Sequence, residues 1–129
     1  MSKIPDDLRY TKDHEYVKKT GDPAVVQIGI TDHAQSELGD VVYVELPKPG
    51  ATLAGGDAFG TIEAVKAVSD LLTPLAGTVT EVNATLASDP AQVNRDPYGD
   101  GWMIKLRVKN PADLAKLLGS ADYKKHVGE

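Results

Sequence analysis

TIEAVKAVSD, residues 61–70, is the stretch that decides the fold, because its two readings lead to different proteins. Phe59, Ile62, Val65, Ser69 and Leu72 recur at three- and four-residue spacing, and Glu63 lies three residues before Lys66, a pattern that favours an amphipathic helix. Against a helix stand Gly60 near the start, Pro74 soon after the end, and the β-branched Thr61, Ile62, Val65 and Val68, which suit a hairpin. Periodicity leaves both open. In either case Lys66 sits between Ala64–Val65 and Ala67, without the charges that usually surround a surface lysine.

The flanking sequence is rich in strands. VVQIGI (25–30), DVVYVEL (40–46), LLTPLAGTVTEV (71–82) and WMIKLRV (102–108) are runs of β-branched and aromatic residues. Turn formers bound them, as in Gly21-Asp22-Pro23, Pro47-Lys48-Pro49-Gly50 and Gly55-Gly56-Asp57. Short, regularly punctuated strands predict an all-β sandwich or barrel. Two segments read as short helices: TDHAQSELG (31–39), with Thr31 as cap and Gly39 as stop, and PADLAKLLG (111–119), with Asn110 before it and Gly119 as stop. The final SADYKKHVGE suits either a last helical turn or fraying. A faint echo between GDVVYVE (39–45) and GTVTEVN (77–83), each followed by ATLA, would place residues 58–70 between two similar β units.

Composition narrows the function classes. The 129 residues carry a net charge of −5 and suit one domain, 1–129, with a helical segment from about 111. The acidic balance, without a basic stripe, argues against nucleic acid as a partner. With no cysteine there is no disulfide, thiolate nucleophile or zinc–cysteine site. The start lacks the apolar core of a signal peptide, and no window is long enough to span a bilayer, so a cytoplasmic monomer is expected. No HExxH, acidic calcium loop or GxGxxG turn suggests a metal or nucleotide site. His14 beside Glu15 and His33 beside Asp32 lack a nucleophile at any recognisable spacing, and neither pair marks an enzyme.

YTKDHEYV (10–17), IGITDHAQSELGDVVYVELPKPG (28–50), EAVKAVSD (63–70), AGTVTEVN (76–83) and VNRDPYGDGWMIKL (93–106) together resemble the H protein of the glycine cleavage system, in that family's order and over nearly the whole chain. The resemblance implies a flattened β-barrel or barrel-sandwich hybrid of lipoyl-domain type with short flanking helices. It also implies a tight hairpin, TIEAV and AVSDLL, with the modified lysine, Lys66, at its tip. Lipoic acid in amide linkage to that amine would form a long, uncharged arm ending in a disulfide. The implied partners are glycine decarboxylase, which loads an aminomethyl group, an aminomethyltransferase that passes the one-carbon unit to tetrahydrofolate, and dihydrolipoyl dehydrogenase, which reoxidises the arm. A lipoyl ligase or octanoyltransferase would install it. The carrier itself breaks no bonds.

An amine and a sulfur on one carbon make a fragile adduct, and a carboxylate in an apolar cleft would protect it by holding the ammonium form. The positions matching that lining are Glu15 and Asp70, and Glu63 suits recognition by the ligase. Tyr16, Ala64 and Leu71-Leu72-Thr73 depart from the family's usual Trp, Ser and aromatic–serine at those places. Biotin carriers centre on Met-Lys-Met and acyltransferase lipoyl domains on Asp-Lys-Ala, and Val65-Lys66-Ala67 matches neither. A relay that donates lipoyl groups to other enzymes shares the same sequence features.

Overall fold

The computed structural model describes residues 3–128. In chain order the strands are β1 (Arg9–Tyr10), β2 (Glu15–Lys19), β3 (Val25–Ile30), β4 (Val41–Glu45), β5 (Thr52–Leu53), β6 (Ala58–Ala64), β7 (Val68–Leu72), β8 (Gly77–Val82) and β9 (Ile104–Val108). A six-stranded sheet runs β1-β2-β3-β9-β8-β5 and a three-stranded sheet runs β4-β6-β7, every pairing antiparallel. Val26, Ile28, Ile104 and Leu106 of the first sheet share one buried cluster with Val44, Ile62 and Leu71 of the second. The fold is therefore mainly β, a barrel-sandwich of two sheets rather than a closed barrel.

Residues 61–70 form the hairpin. Ile62 and Ala64 are buried while Glu63 between them is only partly so, which is the two-residue alternation of a strand. Two neighbours enforce it. β6 pairs with β4 through Val44↔Ile62 and with β7 through Ile62↔Ser69, so both of its backbone edges are satisfied. The helical spacing of the apolar residues loses to this tertiary pairing. Removing the buried Ile62 side chain would cost about 2–5 kcal/mol.

The run 71–82 divides at the turn formers Pro74 and Gly77 that it contains. Thr73 and Pro74 turn the chain between β7 and β8, and the Thr73 hydroxyl, wholly buried, donates to the Leu75 carbonyl at 2.8 Å. The echo does not survive as a repeat: β4 and β8 lie in different sheets, and ATLA is strand β5 in one copy and helix in the other.

Helix α1 (Asp32–Leu38) forms as its caps require. The Thr31 hydroxyl accepts from the Ala34 N–H, and Gly39 ends the helix at φ +80°. Two one-turn helices that strand-like patterning does not reveal, α2 (Thr85–Ser88) and α3 (Gln92–Arg95), lie between β8 and β9 in the chain, α2 against β4 and α3 against α1. Residues Pro111–Lys116 make a 3₁₀ helix capped by Asn110, after which Leu118 forms a bridge to Tyr10. Gly119 thus precedes a helix instead of ending one. That helix, α4 (Ser120–Val127), is not a frayed tail: fully buried Tyr123 stacks on Tyr10 with ring centroids 4.7 Å apart.

These tyrosines belong to a second cluster that seals the outer edge of the larger sheet, with Tyr16, Tyr98, Ile4 and Leu8. Tyr16 lies opposite Gly29 across β2 and β3, where a Cβ on the glycine would stand 2.7 Å from the phenol ring. Its hydroxyl reaches the Pro97 carbonyl at 2.7 Å. A tyrosine fills this place fully.

Candidate functional site: a lysine at a hairpin tip above a cleft

The turn between β6 and β7 holds Val65 and Lys66 at its apex, closed by an Ala64 N–H bond to the Ala67 carbonyl at 2.7 Å. Lys66 is exposed. The tip is not free to wander, because the Val65 N–H donates to the Asp40 carbonyl at 3.0 Å. The Asp40 segment is itself fixed from α3: Asn94 donates to the Gly39 carbonyl at 2.8 Å and to Gln35 Oε1 at 3.0 Å, and its side-chain oxygen accepts from the Val41 N–H at 2.9 Å. One asparagine side chain thereby ties α1, β4 and the lysine tip together.

The aliphatic stem of Lys66 lies over Gly39, where an added Cβ would stand 3.2 Å from Lys66 Cε. Beyond Gly39, α1 forms one wall of a cleft of about 190 Å³. Ala34 and Leu38 of α1, Ile30, Ile62 and Leu71 give it apolar walls, and Glu15, Asp70 and His14 supply polar groups.

Glu15 is placed by a sharp turn. His14 takes φ +70°, a left-handed conformation uncommon outside glycine, and the next residue swings inward as the first of β2. Glu15 is buried, with a relative exposure of 3 %. Oε1 accepts from the Thr11 hydroxyl at 2.8 Å, and the Leu72 N–H of β7 also bonds the carboxyl. Burial pushes the Glu15 acid up to about 7, against the stabilising pull of the Thr11 hydrogen bond. A carboxyl poised near neutrality, in a cleft of apolar walls, is suited to receive a cation.

Asp70 borders the same cleft from β7, at the edge of its sheet, and is exposed. Exposed where Glu15 is buried, it stands at the mouth of the cleft and Glu15 in its depth. Glu63 is elsewhere: it stands opposite Val68 and Tyr43 on the outer face of the smaller sheet. The three carboxylates singled out by sequence thus separate into two in the cleft and one outside it.

Sequence reasoning missed a histidine group at the cleft's rim. The His14 ring lies 4.8 Å from that of His33 and 5.5 Å from that of His126. His14 Nδ1 is 2.8 Å from the Tyr123 hydroxyl, which lies 2.7 Å from the Thr31 hydroxyl. Burial, reinforced by the neighbouring His33 and His126, holds His14 below the ordinary imidazole value. The three lie far apart in sequence, in a turn and two helices, so no local spacing could announce them. Thr11 and Asn94 escaped for the same reason. Among the described residues no group of histidine and carboxylate side chains is arranged to hold a metal ion.

A solvent-exposed lysine on a thin hairpin, its stem against the end of a helix that walls a cleft in a barrel-sandwich body, is the architecture of a swinging-arm carrier. Residues 8–129 match the family model described as glycine cleavage H-protein. The chain is 56 % identical over 128 residues to the glycine cleavage system H protein of Opitutus terrae, covering 99 % of this chain and 100 % of that one. It is 55 % identical over 127 residues to that of Chlorobium limicola, covering 98 % of each. The crystal structure of a glycine cleavage system H protein from Mycobacterium marinum superposes with a TM-score of 0.88 at 37 % identity, covering 98 % of this chain and 100 % of that chain. The chain belongs to the glycine cleavage H-protein family, and its role is that of a lipoyl carrier in the glycine cleavage system. No helix among the described residues is long and apolar enough to cross a membrane.

Proposed function

We propose that Lys66 is the acylated lysine, that its arm rests in the cleft leading from Gly39 to Glu15, and that the carrier exchanges this arm among glycine decarboxylase, the aminomethyltransferase and dihydrolipoyl dehydrogenase. The observation that carries the reading is the Lys66 stem lying over Gly39, the residue after Leu38 in the wall of a cleft that holds the buried Glu15. The donor set fits the group: an exposed primary amine for the amide, apolar walls for a hydrocarbon arm, and acids for an amine carried at its end. When bound, the lipoyl group supplies a disulfide that accepts the aminomethyl carbon and is later reoxidised.

The chain's own residues do the rest by holding and shielding. Ile30, Ile62 and Leu71 keep water from the buried end of the cleft. The Glu15 carboxyl, fixed by Thr11 and Leu72, accepts a hydrogen bond from a primary ammonium brought beside it. The arriving positive charge lowers the Glu15 pKa and completes its ionisation, so the pair forms as a charged one. Asp70 at the mouth offers a second acceptor. An ammonium held in this way keeps its lone pair engaged in an N–H bond, which is what the carried aminomethyl group needs in order to survive transit.

Intact-mass measurement on protein isolated from its own cells tests the assignment. A mass increase of one lipoyl group is expected for the wild type and none for Lys66→Arg. Persistence of the increase in the variant would overturn the choice of lysine. Glycine–bicarbonate exchange with the decarboxylase is expected only from the lipoylated form, and equal exchange by Lys66→Arg would overturn the shuttle.

A further inference from the structure

Three contacts from α4 converge on the turn at residues 11–14, which launches Glu15 into the cleft. Before the turn, the Tyr10 ring stacks on that of Tyr123. Within it, the Lys12 carbonyl accepts from His126 Nε2 at 3.0 Å. At its end, His14 Nδ1 lies 2.8 Å from the Tyr123 hydroxyl, itself 2.7 Å from the hydroxyl of Thr31, the residue that caps α1. The Thr31 N–H also donates to the His14 carbonyl at 3.0 Å. One buried phenol therefore joins the turn to the helix that walls the cleft. A left-handed conformation such as that of His14 persists in a residue other than glycine only when its surroundings over-determine it, and α4 supplies part of that constraint.

We infer that Tyr123 is a positioning residue for the cleft: its hydroxyl fixes His14 against Thr31, and through that turn it sets where the Glu15 carboxyl stands to receive a carried ammonium. The inference rests on the reading of Glu15 as the acceptor of that ammonium. Tyr123 touches His14, which lines the cleft beside Glu15. Its influence passes along the turn because both partners of the key bond flank His14. The Thr11 hydroxyl donates to the Glu15 carboxyl at 2.8 Å and accepts from the Glu15 N–H at 3.1 Å, and the Thr11 N–H donates to the Glu15 carbonyl at 3.0 Å. A change at His14 therefore moves the carboxyl relative to its donor. With the turn loosened, water reaches the carboxyl, and the burial that pushes the acid up to about 7 is relieved. Asp13, His14, Glu37 and Asp70, the other titratable groups lining the cleft, are all retained in a variant at position 123. A lowered Glu15 titration there reports the carboxyl's surroundings rather than a lost charge.

Tyr123→Phe keeps the ring on Tyr10 and removes the hydroxyl, and His126→Ala, at an exposed position, releases the Lys12 carbonyl. The Glu15 side-chain carboxyl, followed by 13C NMR in the unmodified carrier, is expected to titrate at about 7 in the wild type, below about 6 in Tyr123→Phe and between the two in His126→Ala. Carrier loaded with the aminomethyl group and freed of decarboxylase decays as water takes the carbon as formaldehyde and releases ammonia and the thiol. Ammonia release is expected to run about fivefold faster in Tyr123→Phe than in the wild type. Tyr98→Phe removes another phenol hydroxyl from the same cluster, one bonded to the Asp32 N–H and the Lys3 carbonyl, and is expected to leave both measurements at their wild-type values. A wild-type Glu15 midpoint in either α4 variant, an equal change in Tyr98→Phe, or unchanged ammonia release beside a lowered midpoint would overturn the positioning role. Failure of the Glu15 reading shows separately, as wild-type ammonia release from Glu15→Gln.

Discussion

Lys66 and Gly39 are in near contact across two elements: the lysine's Cε would lie 3.2 Å from a Cβ on the glycine, which itself sits at φ +80° and ψ −157°. The absence of a side chain at Gly39 does two things. It permits a backbone conformation that ends α1, and it lets the lysine stem lie against that end, next to Leu38 of the cleft wall.

Gly39→Ala tests both. The backbone there lies in a region nearly closed to other residues, so alanine should lower stability by about 1–3 kcal/mol. Urea unfolding monitored by circular dichroism measures this. The alanine methyl also displaces the stem, so the lipoylated arm of this variant should spend less time in the cleft, read as faster reduction of its disulfide by a small thiol. Wild-type protection in a destabilised protein would show that Gly39 serves only the helix end.

Glu15 should make the protein less stable as pH rises. Its folded pKa, pushed up to about 7, exceeds the ordinary glutamate value of 4.5, so the folded state holds a proton that the unfolded chain has released between those limits. The favourable contribution is complete below about 4.5 and is lost as pH passes through 7, a loss on the order of 2–4 kcal/mol. Glu15→Gln keeps the shape without the charge. Its stability relative to wild type should climb from pH 4.5 to 7.5 and then level off, and a difference independent of pH would show that Glu15 does not titrate in this range.

How much of this was legible in sequence depends on distance along the chain. The Thr31 cap and the Gly39 stop could be read locally, because a cap is a contact over three residues. The hairpin could not, since Ile62 has helical neighbours in sequence and strand neighbours, Val44 and Ser69, in space. Only resemblance carried by long stretches of the chain pointed to it. The cleft is intermediate: Glu15 and Asp70 were reached by the same resemblance, but Thr11, which holds Glu15, and the rim histidines depend on a left-handed turn and a distant helix. The tail stayed open between helix and fraying because Tyr123 finds its stacking partner 113 positions away in Tyr10.

His14 should make the protein less stable in acid, the opposite sign to Glu15. Burial and the His33 and His126 rings depress its folded pKa below the ordinary 6.5, while Asp13 and Glu37 pull the other way. Its contribution is therefore complete above about 6.5 and is lost as pH falls through the lower folded value. His14→Asn retains a residue that tolerates positive φ. The variant should lose less stability than wild type between pH 6.5 and 5, and near-ultraviolet circular dichroism of Tyr123 would report whether α4 stays docked. Equal acid sensitivity in the two proteins would remove His14 from the account.

Asn94 should matter to Lys66 without touching it. Among the described residues its amide is the sole side chain bonding Val41 N–H and Gly39 C=O, and it holds Gln35 as well, so Asn94→Ala leaves backbone groups of the α1–β4 connection without these partners. The expected loss of stability is roughly 2–4 kcal/mol. Asn94→Asp keeps the acceptor for Val41 but gives up the donor to Gly39, and should fall between wild type and alanine. Because Asp40 in this connection anchors the Val65 N–H, amide exchange at Val65 should accelerate in both variants, more in alanine, while exchange at Ile28 in the core reports global unfolding alone. Equal acceleration at Val65 and Ile28 would mean that Asn94 stabilises the whole fold and has no particular hold on the lysine tip.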